Sequence, residues 1–182
     1  RSLRSGKGFI TGLWTRVTLP RATWHVIKDE HDPLIRFYKL CYAWIADVKK
    51  NPEANIEREK FEGSEVMREV ELSVSSYLGV NVSLSELDMM YLMCNFDTAW
   101  TPSLTSPWCR VFSDQELRVM EYREDLEYFW LDGPGHAINS EQACVLVRDM
   151  VDTFTGIAEG REDKQGQFYF PHSGTILKWL AV

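Results

Sequence analysis

The sequence lacks several features that would place it in common classes of protein. It has no apolar run near the ~20 residues that a helix needs to cross a bilayer, no internal repeat and no low-complexity tract. Its four cysteines form no C-x-x-C pair, so zinc-ribbon spacing is absent and a structural metal is not expected. No secretory signal is visible, but the chain opens on Arg1 rather than Met, so this absence excludes no compartment.

Acidic residues are missing from one end of the chain. Residues 1–21 contain no Asp or Glu, so all 27 acidic residues follow, and the formal net charge is −7. A net negative charge argues against nucleic acid as the main partner. The basic residues of the first 21 either face an anion or form a solvated end; they are Arg1, Arg4, Lys7, Arg16 and Arg21.

What is present is the pattern of one aromatic-rich, mostly helical domain. Apolar spacing predicts helices over 3–15, 34–48, 64–79 and 140–158. Two capping boxes, Ser83-x-x-Glu86 and Ser113-x-x-Glu116, predict two more helix starts. The first of these helices should be buried nearly all round. The second should pack through one face, formed by Val119, Tyr122, Leu126 and Phe129.

One stretch departs from the helical pattern. "FYFPHSGTILKWL" at 168–180 places His172 where an aromatic run meets the start of an apolar helix. Residues 167–171 predict the one clear strand of the chain, and a lone strand is not stable without partners. We expect its sheet partners to lie outside this chain. A histidine at such a junction is either a turn residue or part of an anion site built from free N–H groups.

The cysteines and one sequon leave the compartment open. Cys41, Cys94, Cys109 and Cys144 allow three pairings, and free buried thiols are an equal alternative. Asn81-Val82-Ser83 is a glycosylation sequon, which has meaning only in the secretory pathway.

Several segments, in order and spacing over essentially the whole chain, resemble the histidine acid phosphatases. Within that family they are similar to the multiple inositol polyphosphate phosphatases and, more distantly, to the phytases. The segments are "RSLRSGKGFITGLW" at 1–14, "MCNFDTAW" at 93–100, "SPWCRVF" at 106–112, "MEYREDLEYFW" at 120–130, "GPGHAINS" at 133–140 and "FYFPHSGTILKWL". The pairing of S-P-W-C-x-V-F with a preceding M-C-x-F-D-T is the most specific feature.

The resemblance implies a site. His172 takes the position of the family's histidine in the phosphate pocket, where a positioned donor stabilises developing negative charge. Arg1 takes the position of the pocket arginine, which would hold a phosphate in a bidentate fork. His25, His31 and His136 match no family position and are expected to be surface or loop residues. The substrates implied are phosphomonoesters, notably inositol polyphosphates, and no cofactor is implied.

The resemblance also implies a fold and a compartment. Family members join an α/β core to a helical domain, so we expect a mostly α chain with a helical subdomain at about 20–160. Residues 1–19 and 161–182 are then parts of the α/β core. Members are secreted or held in the endoplasmic reticulum lumen, which favours disulfides and glycosylation of Asn81.

Two departures from the family pattern matter. The family's nucleophilic histidine lies in an R-H-G-x-R-x-P motif that this chain does not contain. We therefore expect the chain to be a fragment that begins after the motif, and to be inactive alone; a naturally short protein is the alternative. The family's general acid lies two positions after its pocket histidine, and here that position is Gly174.

Three functions remain open from the sequence. The first is a histidine phosphatase acting on inositol polyphosphates, with this chain as part of it. The second is a relative that binds phosphate or polyphosphate without hydrolysis, which Gly174 favours. The third is a helical interaction module in which His172 is an ordinary turn residue.

Overall fold

The computed structural model of the protein describes residues 2–14, 25–28, 31–102, 106–164 and 166–182. These ranges are dominated by helices, and those with α-helical geometry are, in chain order, α1 (Ser2–Trp14), α2 (Tyr42–Trp44), α3 (Ile56–Glu62), α4 (Glu65–Leu78), α5 (Leu84–Trp100), α6 (Asp114–Leu131), α7 (Ala137–Glu141), α8 (Cys144–Ala158) and α9 (Ser173–Leu180). A π-helical turn at Ile45–Lys49 continues α2. None of the helices in these ranges has the length and apolar character of a membrane span.

The chain divides into two compact units. Unit 1 consists of residues 1–54 and 129–182, and unit 2 consists of residues 55–128. Unit 2 contains α3, α4, α5 and most of α6, whereas unit 1 contains α1, α2, α7, α8 and α9. The helical subdomain predicted at about 20–160 stays a prediction.

The core of unit 2 forms where α4, α5 and α6 bring apolar side chains together. Its buried members are Met67, Val70, Val74, Val82, Leu87, Phe112 and Met120. The helix ends are set by local signals. Ser64 caps α4 by accepting a hydrogen bond from the Met67 N–H at 3.4 Å, and Gly79 ends the helix in the left-handed region at φ 71°. The prediction of a helix over 64–79 is therefore confirmed.

Both predicted capping boxes are present in unit 2. The Glu86 carboxylate accepts hydrogen bonds from the Ser83 N–H at 2.8 Å and the Ser83 hydroxyl at 2.7 Å, at the start of α5. The Glu116 carboxylate accepts from the Ser113 N–H at 2.6 Å, and the Glu116 N–H donates to the Ser113 hydroxyl at 3.3 Å. These contacts satisfy N–H groups that the first turn of a helix leaves unpaired.

Two predictions about helix faces in unit 2 are wrong. Helix α5 is not buried all round, because Met89 and Leu92 are 58% and 43% exposed. Helix α6 buries Met120 and Arg123 rather than Tyr122. The physical reason lies in Arg123, whose guanidinium is ion-paired with carboxylates on neighbouring helices, so a buried cation replaces part of the expected apolar face.

A disulfide joins Cys94 of α5 to Cys109 across a sequence separation of 15 residues. Beside it, the buried Ser106 hydroxyl donates to the Asp97 carboxylate at 2.8 Å. Cys41 and Cys144 are free thiols. Residues of "MCNFDTAW" and "SPWCRVF" therefore hold the C-terminal half of α5 to the turn that precedes α6.

In unit 1, residues 34–48 form two short helical segments and not one helix. The predicted continuous helix over 34–48 is wrong, since a 3-10 turn at Phe37–Lys39 is separated from α2 by Cys41, whose backbone is extended at ψ 91°. Trp44 of α2 is buried and donates its indole N–H to the side-chain oxygen of Asn139 at 2.8 Å. The hydrogen bond from Trp44 to Asn139 therefore helps to hold α2 in place, although α2 is not part of a long helix.

The strand predicted over 167–171 is absent. The described residues contain no β-strand, and residues 166–171 form no β-ladder with another described part of the chain. The segment is held by side chains: Phe168 and Phe170 lie with ring centroids 5.1 and 5.6 Å from Phe9 of α1. A strand requires a paired neighbour, and the part of the chain that the structure describes supplies none here.

Candidate functional site

His172 lies at the N-terminal end of α9. Its backbone is extended (φ −94°, ψ 167°), and its carbonyl accepts the first helical hydrogen bond, from the Thr175 N–H at 3.0 Å. The half-buried ring lies beside α1, with Nε2 at 3.4 Å from the Ser2 hydroxyl oxygen. Residues that are 170 positions apart in the chain therefore meet at this point.

The contact between Ser2 and His172 brings the N-terminal end of α9 beside α1. His172 is the N-cap of the 8-residue α9. Helix α9 has no acidic residue in its first turn, so no carboxylate of its own neutralises the positive end of its dipole. The N–H groups that begin the helix point out of its N-terminus. The arrangement is one that favours an anion.

Two fully buried polar side chains of α9 hold the helix against the interior of unit 1. The Thr175 hydroxyl donates to the Ile35 carbonyl at 2.6 Å. The Lys178 ammonium is ion-paired with Asp132 and lies 4.1 Å from the centre of the Trp44 ring. Burial lowers the pKa of Lys178, although the Asp132 carboxylate opposes this shift. The pair fixes α9, and hence His172, against the rest of unit 1.

Gly174, two residues after His172, faces this ion pair. A Cβ atom placed on Gly174 would lie 3.5 Å from Oδ1 of Asp132 and 3.6 Å from Cζ of Tyr38, which are ordinary contact distances. Asp132 is thus a carboxylate next to the position where the resemblance expects an acid. Its partner Lys178 is fully buried, which makes the pair a structural one.

The structure describes only some of the basic residues that were considered as partners of His172. Arg1 lies outside the described residues. Arg4 and Lys7 are exposed on the face of α1 opposite to Ser2 and Phe9, which contact the segment leading to His172. The basic residues of α1 that the structure describes therefore do not converge on His172.

The remaining predictions concern residues away from this site. Asn81 is exposed in the turn between α4 and α5. His136 is the N-cap of α7, with its ring centroid 5.4 Å from that of Trp130, which agrees with a structural role. His25 and His31 are exposed. The described residues hold no group of three or more His, Cys, Asp or Glu side chains suited to a metal ion.

Sequence reasoning missed Ser2, Asp132 and Lys178. Lys178 carried a signal, because it is the one charged residue in the otherwise apolar run of α9. No local signal marks Ser2 or Asp132, since each acquires its partner only through the fold, at sequence separations of 170 and 46 residues.

Comparison with known proteins shows which family and which relatives this chain resembles. The profile of the Histidine phosphatase superfamily (branch 2) matches residues 1–182. Multiple inositol polyphosphate phosphatase 1 of Gallus gallus is 32% identical over 90% of the chain, and its counterpart in Homo sapiens is 29% identical over 100%. Phytase A of Arthroderma benhamiae is 34% identical over 42% of the chain. No solved structure gives a significant match.

The chain spans only part of these relatives. The matched regions cover 37% of the Gallus gallus protein and 40% of the Homo sapiens protein, and 18% of the Arthroderma benhamiae phytase. The matches therefore do not by themselves assign the activity of those whole proteins to these 182 residues.

Proposed function

Because the chain belongs to branch 2 of the histidine phosphatase superfamily, we propose that it forms part of a histidine acid phosphatase that hydrolyses inositol polyphosphates. The proposed substrate class follows the names of its relatives, which are multiple inositol polyphosphate phosphatases and phytases. In this proposal unit 1 supplies part of the phosphate pocket.

One observation supports the proposal most strongly. His172, the residue predicted for the pocket, is the N-cap of α9 and lies beside α1, and the first turn of α9 carries no acidic residue. A phosphate monoester carries negative charge on its non-bridging oxygens, and the N-terminus of a helix favours such charge.

His172 acts in this proposal as a donor to the phosphoryl group. A positioned ring N–H at a non-bridging oxygen stabilises the charge that develops as the phosphoryl group is transferred. Arg1 is proposed to hold the same phosphate through its guanidinium. The nucleophile is a histidine outside these 182 residues: its P–N bond forms as the ester P–O bond breaks, and water then cleaves the P–N bond.

We also propose that these 182 residues are a fragment of the active enzyme. The support is the coverage of 37–40% of the inositol polyphosphate phosphatases and the apolar side chains that unit 1 leaves exposed. On α8 and α9 these are Val145, Val151, Phe154, Ile176, Trp179 and Leu180. The isolated chain is expected to release no phosphate from inositol hexakisphosphate.

The test uses the full-length protein expressed from the native transcript. His172→Ala should lower phosphate release from inositol hexakisphosphate by about a hundredfold or more, since it removes a donor to the transition state. His136→Ala is the matched control, because His136 is a histidine N-cap in the same unit but lies at α7. An undiminished rate in His172→Ala would remove His172 from the pocket.

A second candidate function is phosphate binding without turnover, which Gly174 favours. Comparing Gly174→Glu with Gly174→Gln in the full-length protein separates an acid from mere bulk, since both side chains meet Asp132 and Tyr38. A missing general acid costs about 10²–10⁴ in rate. A gain in rate with Glu but not Gln would show that the proton donor is absent. If the wild type releases phosphate, equal rates in the wild type and both variants would show that another residue donates.

We propose a secreted or endoplasmic reticulum location, with glycosylation at Asn81. The support is the sequon, the exposure of Asn81 between two helices, and the Cys94–Cys109 disulfide, which persists in oxidising compartments. A mass shift on endoglycosidase treatment of the native protein, lost in Asn81→Gln, is the expected result.

A further inference from the structure

The segment that leads into His172 is held to α8 by a group of polar side chains. The Asp149 carboxylate accepts hydrogen bonds from the Tyr169 hydroxyl at 2.5 Å and the Gln167 amide at 2.9 Å. The same Gln167 amide lies 2.7 Å from the Tyr169 oxygen, and its carbonyl accepts from the Thr153 hydroxyl at 3.2 Å. We call Asp149, Thr153, Gln167 and Tyr169 the α8 clamp.

The α8 clamp matters because the segment has no β-ladder to hold it. Residues 166–171 form no β-ladder with the described residues, so side chains fix their course. Alternate residues point to opposite sides, as in any extended chain: Gln167 and Tyr169 face α8, whereas Phe168 and Phe170 face Phe9 of α1. The segment is therefore gripped between two helices.

The Tyr169 hydroxyl stays a hydrogen-bond donor within the α8 clamp. Burial and the adjacent Asp149 carboxylate raise the pKa of Tyr169, so the hydroxyl keeps its proton and remains a donor near neutral pH. Its ring packs against the buried cluster of Phe37, Ala143 and Leu146. The ring and the hydroxyl thus fix Tyr169 independently.

The position of Tyr169 is transmitted to His172 through a stiff connection. Only Phe170 and Pro171 lie between them. Proline fixes its own φ near −65°, and the residue before a proline is confined to extended conformations. Few backbone torsions are therefore free between the α8 clamp and the histidine.

We infer that the α8 clamp positions His172 at the junction of α1 and α9, with Asp149 and Tyr169 as its principal members. The inference rests on the proposed function only for what His172 does once it is placed. Asp149 and Tyr169 are positioning residues, since they act on the site through His172.

The first experiment measures placement directly, in the 182-residue chain. The NMR signature is a nuclear Overhauser contact between Ser2 and the His172 ring, together with a His172 ring shift distinct from that of an unfolded peptide. Tyr169→Phe, which removes only the hydroxyl, and Asp149→Ala should each weaken this contact and move the ring shift toward the unfolded value. Asp149→Asn, which keeps an acceptor oxygen, should restore most of both.

Asp152→Ala is the matched control. Asp152 is an exposed aspartate three residues along the same helix and should leave the signature unchanged. If Tyr169→Phe and Asp149→Asn fold and the signature is unchanged in every variant, the inference is overturned.

The second experiment measures the consequence in the full-length protein. Tyr169→Phe should lower kcat for inositol hexakisphosphate by about ten- to a hundredfold with a KM within about twofold, because misplacement of a transition-state donor affects the chemical step. Unchanged kcat in Tyr169→Phe with a reduced kcat in His172→Ala overturns the inference alone. A disturbed NMR signature with unchanged kcat in both variants supports the placement and overturns the proposed function.

Discussion

Single residues in unit 1 show how closely the backbone is packed around the turn between α6 and α7. Gly135 donates its N–H to the Phe129 carbonyl at 3.0 Å, and a Cβ atom on it would lie 2.6 Å from a ring carbon of Trp130. The same Cβ would lie 2.8 Å from the Phe129 carbonyl oxygen. The second glycine of "GPGHAINS" is thus required by a close approach of backbone to backbone.

We expect Gly135→Ala to destabilise the chain by about 1–3 kcal/mol, because the contacted atoms are backbone and ring and cannot move aside cheaply. Gly8→Ala is the control: a Cβ there meets nothing within 4 Å, and alanine in a helix should stabilise by about 0.5–1 kcal/mol. Urea unfolding followed by circular dichroism measures both. Equal effects of the same sign would contradict the packing described for Gly135.

At the scale of elements, the boundaries of the helices in unit 2 follow from the sequence, and the packing of their faces does not. The boxes at Ser83 and Ser113 are local, so three or four residues suffice to predict them. Arg123 is buried because it pairs with Asp88. Asp88 lies 35 positions away in sequence, so no periodic pattern predicts the contact. The aromatic run at 167–171 predicts a strand, but a strand also needs a hydrogen-bonded partner, which the described residues do not provide.

The capping boxes make the stability of α5 and α6 depend on pH. Hydrogen bonds from Ser83 lower the pKa of Glu86. Burial alone would raise that of Glu116, but hydrogen bonds from Ser73 and Ser113 outweigh it and lower it. A carboxyl group whose pKa is depressed by folding stabilises the fold above its unfolded pKa, and that contribution is lost as the pH falls through the folded value.

Glu86→Gln and Glu116→Gln should therefore destabilise the chain at pH 7, and the difference from the wild type should shrink as the pH falls from about 5 to about 3. Chemical denaturation at pH 7, 5, 4 and 3 measures this. Glu69→Gln, at an exposed position within α4, is the control and should show no such convergence. A difference that stays constant across the range would contradict the ionic role of the boxes.

Unit 2 also carries the one disulfide found among the described residues. Closing a loop of 15 residues stabilises a fold by about 3 kcal/mol in the chain-entropy model. Cys94→Ser with Cys109→Ser should lower the free energy for exchange of the slowest amides in residues 55–128 by about that amount. The pair Cys41→Ser and Cys144→Ser removes only free thiols and should not. Equal losses in both pairs would contradict the assigned pairing.

For the whole molecule, the sequence predicted its family and its helical character, and much less of its site. The family model matches residues 1–182, and two of the segments that carried the resemblance contribute the hydrogen bond from Ser106 to Asp97. The predicted α/β core is not seen in the described residues. His172 contacts Ser2 of α1, and the segment before it contacts α8 through Gln167 and Tyr169. These contacts depend on tertiary packing that a single sequence does not reveal.

The most direct test of a phosphate site at His172 is a phosphate titration of the 182-residue chain, monitored by NMR at constant ionic strength with chloride as the reference anion. We expect saturable chemical-shift changes of the His172 ring and of the Ser173 and Gly174 amides at phosphate concentrations up to about 10 mM. These changes should be lost in His172→Ala. Shifts confined to the exposed Arg4 and Lys7, or no saturable shift at α9, would contradict a phosphate site at the junction of the two helices.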